Sequence, residues 1–154
     1  MTSNVKRLFF ARAERLVIAL LVLLFMYTGF NKLFGLHQFK ATLYNQPIPH
    51  NLAAALAWIF PCLEIIAASC LLFGRTQYAG ILLSLILLGI FTGYIGAILL
   101  HLFPKIPCSC GGIFRHLSWQ QHFVVNLGLV GLTLFVLFRL RRPPTEKSPL
   151  NPSI

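Results

Sequence analysis

Cys108 and Cys110 stand one residue apart in Pro107-Cys108-Ser109-Cys110-Gly111-Gly112. Two thiols at that spacing can hold a reversible disulfide, bind a soft metal ion, or do neither. Pro104 and Pro107 precede them and two glycines follow, which marks a turn, since proline fixes φ and glycine tolerates positive φ. A disulfide across one residue closes a small ring with little freedom to reach the preferred S–S dihedral, so strain should make it easy to reduce. Exchange needs a thiolate, and Arg115, His116 or His122 could favour one. The N–H groups opening a helix after the turn would add partial positive charge. One cysteine would attack and the other resolve, and a lipid-embedded quinone beside the loop could take the electrons.

Two other chemistries fit the same residues. Cys108 and Cys110 with His116 or His122 could hold Cu(I) or Zn, because thiolates are soft ligands. Structural zinc sites, however, favour two to four residues between cysteines. The pair could instead be an inert clip in a scaffold for a membrane redox complex. Disulfide stabilisation grows with loop length in the chain-entropy account, so a clip across one residue contributes little.

A second constellation lies in the apolar runs. Glu64 falls inside the second run, where a carboxylate must pair, protonate or face a wet cavity. Lys32, near the end of the first run, has the reach to be its partner, as an ion pair or as part of a proton relay. Pro61 should kink the helix one turn before Glu64. Cys62 and Cys70 read as small buried apolar residues, and His37 and His50 as polar interface residues.

The elements that must position these groups follow from composition. The chain has 154 residues, of which 57% are hydrophobic and 10% charged, against about 25% charged in soluble domains. This is the composition of an integral membrane protein. Lys and Arg number 13 and acidic residues 3, a net charge of +10. The basic residues cluster outside the apolar runs and no basic–aromatic surface accompanies them, which argues against nucleic acid.

At about 1.5 Å per residue, roughly 20 apolar residues cross a bilayer core. Four runs meet that length, about 16–36, 52–73, 78–103 and 119–138. The first is too long for a typical signal-peptide core, so a retained anchor is expected. Residues 1–15 read as a basic N-terminus, 37–51 as a loop, 104–117 as the cysteine loop and 141–154 as a disordered tail. Gly89 and Gly93 form a small-xxx-small pattern suited to helix packing. Ser118 and Gln121 form a capping box that should start the fourth helix, which carries His122 and Asn126 in its first turns. The expectation is an all-α bundle of four transmembrane helices. Lys6, Arg7, Arg12, Arg15, Arg75, Arg139, Arg141, Arg142 and Lys147 then share one side, against Lys40, Lys105 and Arg115 on the other. The positive-inside rule makes both termini cytoplasmic and the cysteine loop extracytoplasmic, where disulfides persist.

Cys108-Ser109-Cys110-Gly111-Gly112, followed by Leu117-Ser118-Trp119-Gln120-Gln121-His122 and Asn126, resembles the MauE branch of the MauE/DoxX redox-associated membrane proteins. Gly29-x-x-Lys32-Leu33 and Glu64 resemble the DoxX-like part of that group. The similarity covers about residues 10–140. MauE-type proteins are associated with methylamine utilisation and with disulfide formation in an exported dehydrogenase subunit. The resemblance therefore implies a multi-pass protein of a bacterial cytoplasmic membrane, acting as a thiol–disulfide oxidoreductase or its accessory component. Its partners would be the bilayer and an exported thiol-containing client or a thioredoxin-like protein.

Overall fold

The computed structural model describes residues 2–46, 48–102 and 118–141, the side chains of residues 2–7 and of Trp119 apart. These residues form five α-helices: α1 (Thr2–Phe34), α2 (Leu36–Tyr44), α3 (His50–Leu72), α4 (Gln77–Leu99) and α5 (Trp119–Arg141). Three of them, α3, α4 and α5 over Gln120–Arg141, are long and apolar enough to cross a membrane. The run expected as a first span lies in α1, which continues without a break to Thr2. The basic segment up to residue 15 is thus helical along with it. Residues 37–51 are not a simple loop, since most of them belong to α2. Gly35 N–H bonds Asn31 O and Phe39 N–H bonds Gly35 O, both near 3.0 Å, so α2 continues almost directly from α1.

The helices pack chiefly as α1 on α3, α3 on α4 and α4 on α5, with α2 against α3 and a light contact between α1 and α5. Small side chains make the close approaches possible. The buried face of α3 reads Ala53, Ala57, Pro61, Glu64, Ala67, Ala68 and Leu71, a spacing of three and four that keeps one stripe inward. Pro61 is accommodated inside an unbroken helix. A Cβ added at Gly80 would lie 2.8 Å from the backbone nitrogen of Leu71, so only glycine lets α4 approach α3 there. Gly89 and Gly93 are exposed and have nothing within 4 Å of a Cβ. Their expected packing is therefore not made within this chain. Phe25, Leu21, Leu71, Ile81, Leu87 and Val136 fill the core. Buried hydroxyls bond inside their own helices, as Ser84 to Gly80 O, Thr92 to Leu88 O and Thr133 to Leu129 O at 2.6–2.7 Å. No hydroxyl among these is left unpaired in an apolar surrounding.

The helix ends set the connections. At the end of α4, Leu102 N–H bonds Ala97 O at 3.1 Å and His101 N–H bonds Ile98 O at 3.0 Å. His101 has φ of 55°. This is a Schellman termination with histidine where glycine is usual. It stops α4 at Leu99, short of the 103 expected from hydropathy. Ser118 and Gln121 form the reciprocal capping box, with Ser118 N–H to Gln121 Oε1 at 3.0 Å and Gln121 N–H to Ser118 Oγ at 3.3 Å. At the opposite end Arg141 donates to the Tyr78 hydroxyl at 3.1 Å, and the Arg139 guanidinium lies 5.2 Å from the centre of the Phe10 ring. Arg139 and Arg141 therefore share one end of the bundle with the α3–α4 turn that holds Arg75.

Gly80→Val should lower stability in detergent by about 1–3 kcal/mol through overpacking, while Gly89→Ala should leave it unchanged or raise it, read from thermal midpoints. His101→Gly should stabilise by about 1 kcal/mol by relieving the left-handed conformation.

Candidate functional site

Cys108, Cys110, Arg115 and His116 lie outside the described residues. The structure does fix the two ends of the segment that carries them. The Schellman turn at His101 closes α4 and the capping box at Ser118 opens α5. These ends sit against each other, because the Phe123 ring lies over Gly96, at 3.3 Å from where a Cβ would stand. The intervening segment starts and finishes at neighbouring helix ends. His122 and Asn126, one turn apart on α5, are both buried and so face the bundle. Among the described residues no cluster of three or more His, Cys, Asp or Glu could hold a metal ion.

The structure brings Lys32 and Glu64 together. Lys32 is on the last turn of α1 and donates from Nζ to Glu64 Oε1 of α3. Glu64 is 1% exposed and Lys32 13%. Gly29 makes the approach possible. A Cβ there would stand 3.0 Å from Ile65 Cγ1, 3.3 Å from Pro61 O and 3.4 Å from Glu64 Cβ. One turn beyond Gly29, the lysine stem spans the remaining distance. The ammonium also lies 4.7 Å from the centre of the Phe91 ring of α4 and 5.7 Å from that of Phe39 of α2. Both distances are in the range of cation–π attraction. Thr28 approaches the carboxyl as well, though its hydroxyl is directed to Phe25 O at 3.5 Å. Glu64 Oε2 is buried and has no hydrogen-bond partner.

Sequence reasoning missed Phe39 and Phe91 as parts of this site. Aromatic residues in apolar helices are ordinary core, and only the fold shows that these two flank the lysine. Cys62, expected as buried, is exposed on the outer surface of α3, and Cys70 is half-buried. Position 62 is two residues from Glu64 on a helix, which turns it about 200° away from the ion pair. His50 packs edge-on to Tyr44, with ring centres 5.0 Å apart.

The family described as methylamine utilisation protein MauE matches residues 9–139, and the chain belongs to that family. No curated protein and no solved structure matches it.

Removing one charge of the pair strands the other in an apolar interior. Lys32→Met or Glu64→Leu alone should cost about 3–5 kcal/mol, seen as loss of folded protein in membranes or detergent. The double replacement should recover most of that loss, and the coupling can be read from a double-mutant cycle.

Proposed function

We propose that this MauE-family chain is a four-span membrane protein that supports disulfide formation in exported proteins through Cys108 and Cys110. In this reading α1 contributes the fourth span, both termini are cytoplasmic, and the cysteine segment faces the oxidising side of a bacterial inner membrane. The observation that carries it is the position of a Cys-x-Cys pair between two helix ends that pack on each other and are closed by their own backbone and capping bonds. In this reading the segment presents its two thiols at the outer membrane surface.

The topology draws on charge. Arg75, Arg139 and Arg141 gather at one end of the bundle and Lys40 belongs to the α1–α3 connection at the other. The positive-inside rule assigns the arginine-rich end to the cytoplasm.

In the exchange, a client thiolate attacks one sulfur of the Cys108–Cys110 disulfide and forms a mixed disulfide. The second client thiolate resolves it, leaving an oxidised client and a reduced Cys108/Cys110 pair. Two electrons and two protons must then pass on, and a lipid-soluble quinone, reduced to quinol, is the acceptor class a bundle in the bilayer can meet. Arg115 is the fixed cation able to favour the thiolate, His116 and His122 can do so as hydrogen-bond donors, and Asn126 follows His122 by one turn on α5. The family's name gives methylamine utilisation as the setting, and we propose an exported dehydrogenase subunit or a thioredoxin-like protein as partner. Glu64 and Lys32 hold the bundle together in this account.

Cys108→Ser and Cys110→Ser should each abolish oxidation of a reduced client by membranes containing the protein, with insertion and the Lys32–Glu64 fold intact. Client oxidation at the wild-type rate by both variants would rule the exchange out.

A further inference from the structure

The N-terminal half of α1 carries two exposed cations that form no ion pair among the described residues. Arg12 and Arg15 are exposed and border, with Leu16, a shallow hollow open to the surroundings of α1. Among the described residues the Lys32–Glu64 bridge is the one ion pair, so neither guanidinium has a carboxylate partner. The polar contact recorded here stays within the helix, from Arg15 Nε to Ala11 O at 3.4 Å. Glu14 lies between the two arginines in sequence, but at about 100° per residue it is turned off their face.

The apolar surroundings are arranged on the same side. Leu16, Leu20 and Leu23 are 71%, 46% and 70% exposed and follow Arg12 at steps of four, four and three. Leu8 and Phe9, one turn before the arginines, are also exposed, at 60% and 68%. A helix of 33 residues is about 50 Å long, well beyond a hydrocarbon core of about 30 Å. With the apolar stretch from Leu16 to Phe34 in the core, Arg12 and Arg15 fall at the level of the headgroups.

We propose that this hollow binds an anionic phospholipid, with the phosphodiester between Arg12 and Arg15 and an acyl chain along Leu16, Leu20 and Leu23. Two unpaired guanidinium groups match a phosphate in charge and in fork geometry. The net negative charge of such a lipid, against the net neutrality of a choline lipid, sets the preference. The proposal rests on α1 being a membrane span and is independent of the cysteine chemistry.

The test uses the full chain, purified in detergent and titrated with phosphatidylglycerol, phosphatidylcholine or inorganic phosphate, with lipid retention counted by native mass spectrometry. Phosphatidylglycerol should be retained in preference to phosphatidylcholine. The double variant R12Q/R15Q should weaken that retention about twenty-five-fold, taking about a five-fold effect per surface arginine. R12K/R15K, which keeps both charges and loses the guanidinium fork, should fall between wild type and R12Q/R15Q, and helical content should be the same in all three proteins. Equal retention of the two lipids, or unchanged retention by R12Q/R15Q, would overturn the proposal. Displacement of the lipid by millimolar inorganic phosphate would do so as well, by showing a phosphate site with no use for the acyl chain. Loss of the exchange activity with lipid selectivity preserved would leave this site standing, so the two accounts fail separately.

Discussion

A carboxylate buried in an apolar helix bundle has to be compensated, and Glu64 makes that the organising constraint of this fold. Its partner comes from the last turn of another helix, and the reach of Lys32 sets how α1 lies along α3. The crossing needs Gly29 one turn earlier, where any side chain would press on Pro61 O and Ile65. Phe91 of α4 and Phe39 of α2 then lie beside the ammonium. Four helices meet around one ion pair, so their register is fixed by a few polar atoms in a largely apolar core. Apolar contacts alone specify register poorly where lipid competes for the same surfaces.

The buried hydroxyls of the core are handled locally. Ser84, Thr92 and Thr133 bond the carbonyl four residues back and ask nothing of neighbouring helices. The ends of α4 and α5 are likewise closed by their own atoms. The described helices thus close on either side of residues 103–117 through their own backbone and capping bonds. A redox-active pair fits such a place, because a disulfide that opens and closes changes the chain locally and need not disturb the core. The separation of a rigid, ion-paired bundle from a chemically active connection is the physical basis of the proposed function.

Much of the bundle is legible in the sequence because apolar runs of span length have few alternatives to helix. The start of α5 is legible because Ser118 and Gln121 carry a side-chain signature for it. The cost of a lone carboxylate and the reach of a lysine point from Glu64 to Lys32, and the two are in contact. Other features leave weaker traces. The polar pattern of residues 37–44 looks like a loop, yet α2 forms because it continues α1 across Gly35. The end of α4 is hidden because histidine, and not glycine, takes the left-handed position. The exposure of Cys62 and of the Gly89/Gly93 pair depends on which face of each helix meets a neighbour, and helices that are apolar all round give no periodic signal for that. Phe39 and Phe91 join the ion pair only through the fold.

The central claim is that Cys108 and Cys110 form an extracytoplasmic exchange centre, and their redox state in intact cells tests it most directly. A membrane-impermeant thiol reagent should leave the pair unlabelled at rest, label both cysteines after a brief reductant pulse, and lose access again as the disulfide re-forms on removal of the reductant. Labelling at rest that persists without reoxidation would contradict the account.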